Sequence, residues 1–378
     1  MLEKPLHIWM NIPSFYQNDL FNELCQRFDK FEVIYAHEQD LTRKEQGWDF
    51  DFIQHYDSKT ISKDLKISSL IQYVFQNRTS THIVNGIWAE KSFFFVILLL
   101  NLFRADFFIY SEAPVPTKKR SIFKKMMLNF LVKPISKLLI QRVKGFFAVS
   151  IFAENYFKFL GIKPEKIYRF GYFRNVKKSD FIKSESTINQ LFFVGQLIER
   201  KGIFTLLEAI KNVSEVNANF HLTIVGTGVL KTGIEQFVKT HQLESFITLQ
   251  GVIKYENVAQ NIRKADLLIL PSIFDGWGMV VNEALQSHVP VLISDQCGAK
   301  ELIEYGKNGL IFEAQNVESL TNQLLKFLQF SAEEKALMKS HVVQKSKQIE
   351  IPTVVNYLVD CLTHIHHPNS PKPSVPWL

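Results

Sequence analysis

The chain has 378 residues, 46% of them apolar, three cysteines and a formal net charge of +7. That length exceeds the size at which a single core usually stops growing, so two domains are expected, and the apolar share supports well-packed cores. Cys25, Cys297 and Cys361 are odd in number and far apart, which excludes a disulfide framework and a cysteine-based zinc spacing and suits a reducing, cytoplasmic setting.

The N-terminal MLEKPLHIWMNIPS has an apolar stretch too short for a signal peptide and no small-residue cleavage site, so none is expected. LHIWMNI, FEVIYAH, THIVNGIW, DFFIYSEA and KGFFAVS read as strands, and QNDLFNELCQRF as a helix. SFFFVILLLNLF, twelve residues from Ser92, is too short to span a bilayer and is expected to form a buried helix. Residues 113–145 then hold no acid and nine bases: Lys118, Lys119, Arg120, Lys124, Lys125, Lys133, Lys137, Arg142 and Lys144. Apolar residues interleave at helical spacing up to a break near Pro134. Two readings stay open: a core-packing helix with a solvated basic face, or docking of residues 118–144 on an anionic membrane surface. Nucleic acid is not expected as a partner, because the bases are not interleaved with stacking aromatics and no recognition motif occurs.

The polar NVKKSDFIKSESTINQ, residues 175–190, reads as a linker between a domain of residues 1–180 and one of 188–365. Beyond it, QLFFVGQLI, FHLTIVGTG, FITLQGVI, DLLILPSI and VPVLISD alternate with helical segments, and NGLIFE and VESLTNQLLKFL follow. Continuous apolar strands alternating with helices imply parallel sheets covered on both faces. The proline- and serine-rich end, residues 366–378, is expected to be disordered. The inferred fold class is α/β, with two Rossmann-like doubly wound domains across a cleft and ligands beyond the carboxyl ends of the strands.

One segment carries candidate chemistry. After the strand LLILPS come FDGWG and a helix beginning near Met279, with Asp275 and Glu283 eight positions apart. The unpaired first amides of a helix favour an anion such as a diphosphate, and Gly276 and Gly278 allow close backbone approach. Carboxylates at this turn suit the hydroxyls of a sugar or ribose. On spacing alone, a capping Asp275 and an ordinary exposed Glu283 are the favoured reading. Elsewhere, VGTG lacks the third glycine and ribose acid of a dinucleotide fingerprint, and HIHH at residues 364–367 reads as incidental rather than metal-binding.

The pattern Pro271, Ser272, Asp275, Trp277, Gly278, Glu283, Ala284 resembles the nucleotide-sugar site of glycosyltransferase family 4, the retaining GT-B enzymes. Asp275 stands where that family usually has glutamate. FFVGQLIERKGIFTLLEAI is similar to the family's diphosphate-binding strand, loop and helix, with Lys201 and Gly202 as its lysine-glycine pair. Gln196 replaces the usual arginine, a charge that Arg200 can supply. LTIVGTG, ADLLILPS and GAKELIEYGKNGLIF follow in family order, so the resemblance is strong over about residues 188–330 and weaker before. It implies Arg200, Lys201, Asp275 and Glu283 as catalytic residues: the two bases on the diphosphate, Asp275 on the transferred sugar, Glu283 on the ribose. It implies Gly195, Gln196, Gly226, Gly228, Val252, Ser272, Gly276, Trp277, Gly278, Met279 and Val280 around the donor. Asn11, Ser14, Tyr16, Gln17, Asn85 and Glu112 are the acceptor-side candidates. The implied activity is metal-independent, retaining transfer of a sugar from a nucleotide-sugar donor to a glycan or lipid-linked glycan acceptor, in polysaccharide or glycoconjugate synthesis, without a cofactor. The alternatives are a non-catalytic sugar-nucleotide-binding protein and a nucleotide-sugar hydrolase or epimerase. The expected location is cytoplasmic, with a peripheral membrane position if the basic segment docks.

Overall fold

The structure is a computed structural model that describes residues 4–38, 53–61, 66–86, 90–114, 142–176, 188–365 and 370–378. Seven of the nine bases of the acid-free segment, Lys118 to Lys137, lie outside the described residues, and so does most of the expected linker. The chain divides into two compact units, Met1–Arg174 with Ile351–Val375, and Asn175–Glu350 with Pro376–Leu378.

The first unit is built on a seven-stranded sheet of β1 (Leu6–Met10), β2 (Phe31–Tyr35), β3 (Asp57–Thr60), β4 (Thr81–Asn85), β5 (Asp106–Ser111), β6 (Val143–Val149) and β7 (Ile167–Phe170). Its order is β3-β2-β1-β4-β5-β6-β7, with every pairing parallel. All five residues of β1 and of β2 are buried, as a sheet with both faces covered by helices requires. Among its helices are α1 (Phe15–Leu24), α2 (Ile67–Gln76), α3 (Lys91–Leu102) and α4 (Ser150–Phe159). β3, DSKT, has no apolar signal to read in the sequence. It pairs with β2 at the edge of the sheet, where Lys59 Nζ lies 2.6 Å from Glu32 Oε1. The SFFFVILLLNLF segment is helical as expected but only partly buried. Phe93, Val96, Ile97, Leu99 and Leu100 enter the core, whereas Leu98 and Leu102 on the opposite face are exposed.

The second unit carries a six-stranded sheet of β8 (Asn189–Val194), β9 (Phe220–Val225), β10 (Ile247–Gly251), β11 (Leu267–Leu270), β12 (Val291–Ser294) and β13 (Gly309–Phe312). Its order, β10-β9-β8-β11-β12-β13, is also all parallel. This is the doubly wound order in which the chain starts at the middle, winds one way and then reverses, so the switch point lies between β8 and β11. The helices are α5 (Ile203–Ser214), α6 (Lys231–Thr240), α7 (Val258–Ile262), α8 (Val280–Gln286), α9 (Val317–Gln329) and α10 (Ala332–Gln348). Leu206, Leu207 and Ile210 of α5 and Leu320 and Leu324 of α9 share one core with the strands. A capping box starts α10, with Ser331 accepting from the Glu334 amide and the Glu334 carboxylate accepting from the Ser331 amide.

Two boundary expectations fail. The last helix, α11 (Ile351–His364), belongs to the first unit rather than to residues 188–365: Tyr357 Oη donates to Arg169 O at 3.0 Å and its ring stacks on Phe170. An amphipathic helix records that it covers a sheet but not which one. Nor is the C-terminal stretch uniformly disordered. Trp377 is fully buried in the second unit, its Nε1 donating to Glu301 Oε1 at 3.3 Å and its carbonyl accepting from Lys345 Nζ at 2.9 Å. Trp377→Ala is therefore expected to cost about 3–5 kcal/mol, as for other buried aromatic truncations. Thermal melts should show a clearly lower transition, and an unchanged melt would mean that the residue anchors nothing.

Candidate functional site

The two strands at the switch point of the second sheet deliver the candidate residues from loops at their carboxyl ends. After β8 the chain runs through Gly195 and Gln196 to a 3-10 turn, Glu199–Lys201, and Gly202 opens α5 in a left-handed conformation at φ 65°. A Cβ on Gly202 would lie 1.9 Å from the carbonyl oxygen of Pro271, the first residue after β11. Only glycine permits that approach. The two loops are then stitched together by Ile273 N donating to Arg200 O at 2.8 Å.

That contact sets the side chains. Lys201 Nζ reaches Asp275 Oδ2 at 2.5 Å, and Arg200 Nη1 lies 3.5 Å from the same oxygen while donating to Phe274 O at 3.0 Å. Asp275 is itself fixed from a third loop, after β12: its amide donates to Gln296 O and its carbonyl accepts from Gly298 N. The Lys201 and Asp275 side chains are 15% and 13% exposed, against 41% for Arg200. The lysine is thus held in a largely desolvated pair, while the guanidinium keeps an open side.

Glu283, on α8, is nearly buried, and its Oε1 accepts from Tyr255 Oη at 3.0 Å. Tyr255 begins a 3-10 turn shortly after β10. The sequence reading stopped at Val252, which is exposed on the same loop. It missed Tyr255, a lone tyrosine in VIKYENV with no spacing to mark it.

Several of the residues expected around the donor also brace the loops. Trp277 is buried, with Nε1 donating to Asn282 Oδ1 at 2.8 Å and its carbonyl accepting from Ala299 N, so the indole braces the loop from within. Ser272 is fully buried and its carbonyl accepts from Ser294 Oγ. Gly226 and Gly228 serve loop packing: a Cβ on Gly226 would meet Gly195 O at 1.9 Å, and one on Gly228 would meet Leu197 O at 2.4 Å. Gly278, at φ 100°, packs against Leu270. Gly195, Gln196, Gly276, Met279 and Val280 keep partial exposure along the same edge. Burial pushes the nearby Cys297 thiol up to about 12, with Asp275 adding to the effect, so it stays protonated and inert.

In the first unit, Asn11, Asn85 and Glu112 follow or end β1, β4 and β5, which are neighbours in the sheet, so the fold collects them along one carboxyl edge. Ser14 is used as the cap of α1, accepting from Tyr16 N at 3.3 Å. Tyr16 lies against Phe15 and Gln17 is nearly buried. Glu112 hydrogen-bonds the Tyr172 hydroxyl, a partner that the sequence did not indicate. Among the described residues no group of three or more His, Cys, Asp or Glu side chains could hold a metal ion. His364 of the HIHH stretch is engaged by Tyr168 Oη and Ser370 O. No described helix is long and apolar enough to cross a membrane.

Residues 176–341 match the family model of the glycosyl transferases group 1. The chain is 32% identical over 154 residues to an uncharacterized glycosyltransferase, MJ1178, of Methanocaldococcus jannaschii, covering 41% of this chain and 42% of that protein. It is 24% identical over 181 residues to a putative colanic acid biosynthesis glycosyltransferase, WcaL, of Escherichia coli, covering 46% and 45%. The aligned part is thus under half the length of these curated relatives. A crystal structure of Anabaena Alr3699/HepE in complex with UDP matches 95% of this chain and 99% of that one, with a TM-score of 0.72 at 13% identity. The fold class is the expected one: α/β, with two Rossmann-like units of the GT-B kind.

The ion pair is directly testable. A double-mutant cycle with Lys201→Ala and Asp275→Ala should return a coupling of about 1–3 kcal/mol in denaturant unfolding, because each single variant strands a largely desolvated charge. Additivity within about 0.3 kcal/mol would show that the pair is not formed in solution.

Proposed function

We propose that this chain is a retaining glycosyltransferase of family 4, transferring a sugar from a nucleotide-sugar donor to a glycan or lipid-linked glycan acceptor in polysaccharide or glycoconjugate synthesis. The observation that carries this reading is the pairing of Lys201 and Arg200 with Asp275 at the switch point of the second sheet, inside the segment that matches the glycosyl transferases group 1. Names of relatives support it, since WcaL is a putative colanic acid biosynthesis glycosyltransferase and HepE was crystallised with UDP.

Cleaving a sugar–diphosphate bond is limited by negative charge building on the leaving phosphate. Preorganised cations stabilise that charge more in the transition state than in the ground state. Lys201 is held in place before the donor arrives, and Arg200 has an open side to turn toward an anion. In the proposed reaction the acceptor hydroxyl attacks the anomeric carbon from the face that the diphosphate leaves. The carbon–oxygen bond to the phosphate breaks, and the acceptor's proton passes to the departing phosphate oxygen. Asp275 holds the transferred sugar's hydroxyls and keeps Lys201 aimed. Glu283, oriented by Tyr255, takes the ribose hydroxyls. The two bases supply the charge for which other transferases use a metal. The free thiols of Cys25, Cys297 and Cys361 support a reducing, cytoplasmic setting.

Lys201→Ala should lower turnover by about 10²-fold or more, and Arg200→Ala similarly, since removing one preorganised contact to developing charge costs roughly 2.7–4 kcal/mol. Binding separates the two acids. Glu283→Gln and Tyr255→Phe should weaken a free nucleoside diphosphate such as UDP by about tenfold, the worth of one hydrogen bond at a buried site. Asp275→Asn should leave that affinity within about threefold, because it frees the positive charge of Lys201, while turnover collapses. Calorimetry with the free nucleotide and the nucleotide sugar reads both effects. Equal losses in all variants would remove the division of roles, and no nucleotide binding by the unmutated chain would remove the function.

A further inference from the structure

The first unit exposes an apolar surface that its fold does not use. Helices α2 and α3 share the core formed by Leu70, Val74, Phe93 and Val96, and they touch where the Phe75 and Phe103 rings meet at 5.3 Å. On α2, Ile67, Ile71 and Phe75 stand four residues apart and form one exposed row, with Ile67 71% and Phe75 49% exposed. On α3, Leu98 and Leu102 form a second such row, 42% and 70% exposed, on the face opposite its buried residues. A helix apolar on all sides is ordinarily enclosed. Among the described residues, the core and α2 cover part of α3 and leave Leu98 and Leu102 exposed.

Charge identifies what covers it. ISSLIQYVFQ and KSFFFVILLLNL contain no acid. Exposed cations flank both helices: Lys66 and Arg78 before and after α2, Lys91 and Arg104 at the start and just past the end of α3. The Arg78 guanidinium lies over the Phe75 ring, 4.4 Å from its centroid, and donates to Phe75 O at 2.8 Å, so it borders the end of the apolar row. Aliphatic and phenyl side chains bordered by Lys66, Lys91 and Arg104, with the adjacent Glu90 engaged by His37, match the two layers of an anionic bilayer surface: acyl chains below, phosphates above. The two rows are themselves wholly apolar, and the exposed Ser68, Gln72 and Gln76 stand beside the α2 row.

We propose that the α2–α3 face docks on an anionic lipid surface, with Ile67, Ile71, Phe75, Leu98 and Leu102 entering the headgroup–acyl boundary. This surface is distinct from the acid-free segment of residues 113–145 and independent of the proposed sugar transfer.

The test is sedimentation of the full chain with vesicles of phosphatidylcholine alone and of phosphatidylcholine with phosphatidylglycerol. The unmutated chain should partition onto the anionic vesicles, and binding should fall with salt. Leu98→Glu with Leu102→Glu should reduce partitioning at least about tenfold. Both positions are solvent-exposed, so circular dichroism and nucleotide affinity should not change. Reversal of Lys66, Lys91 and Arg104 to Glu should reduce binding to anionic vesicles by roughly fivefold per charge and spare any weak binding to neutral ones. No binding to anionic vesicles at low salt overturns the proposal. So does binding that survives Leu98→Glu with Leu102→Glu but is lost when Lys118, Lys119, Lys124 and Lys125 are reversed, which would assign docking to the basic segment. Concentration-dependent self-association abolished by the leucine variants, without vesicle binding, would make the face a protein interface instead.

Discussion

The carbonyl oxygen of Pro271 occupies the place where a side chain on residue 202 would begin. Because residue 202 is glycine, the loops after β8 and β11 can lie backbone against backbone, and the meeting of Arg200 and Lys201 with Asp275 follows from that approach. It brings Arg200 O to Ile273 N, and Lys201 within reach of an acid 74 positions further along the chain. The same device recurs beside it, where Gly226 faces Gly195 O and Gly228 faces Leu197 O. Three loops therefore pack without side chains between them, and the side chains they do carry are pushed to the rim, at the edge where parallel doubly wound sheets bind ligands.

The rim has an uneven charge balance. One carboxylate, Asp275, is shared by Lys201 and Arg200, so the group keeps one uncompensated positive charge. The more buried lysine makes the shorter contact and the more exposed arginine the longer one. This arrangement holds one cation rigid and leaves the other adjustable, as an anion that arrives, reacts and departs requires. Glu283 is treated differently. Its Oε1 accepts from the neutral Tyr255 hydroxyl, which orients the carboxylate from the turn after β10.

Much of this was legible in the sequence, for identifiable reasons. Strands buried on both faces are short apolar runs, so LHIWM, LFFV, LLIL and VLIS announced themselves, and the glycine- and acid-bearing loop after LLIL drew attention to Asp275 and Glu283. The edge strand β3 was not legible: it is four polar residues held to β2 by pairing and by Lys59 on Glu32, and its sequence carries no period. In FDGWG the spacing gave no sign that the Trp277 Nε1 donates to Asn282, five residues away, and braces the loop. Tyr255 was invisible because its meaning arises from a partner 28 positions distant. The acceptance of α11 into the first unit depends on Arg169 and Phe170, which nothing in the helix itself encodes.

The exposed face of α3 illustrates a limit of hydropathy as a guide to burial. Its apolar content made an enclosed helix the natural inference, and four of its apolar residues are completely buried: Phe93, Val96, Ile97 and Leu100. The sheet can cover only one side of a helix lying on it, however, and α2 covers part of another. Among the described residues, Leu98 and Leu102 thus stay exposed. In a parallel sheet each connecting helix runs back from the carboxyl edge toward the amino edge. Lys66 and Lys91, at the starts of α2 and α3, therefore lie toward the edge that carries Asn11, Asn85 and Glu112. The apolar rows run from there across the flank of the sheet. A surface that engages these rows would lie alongside the sheet and leave its carboxyl edge uncovered, so lipid docking and an open edge for an acceptor are geometrically compatible within this one unit.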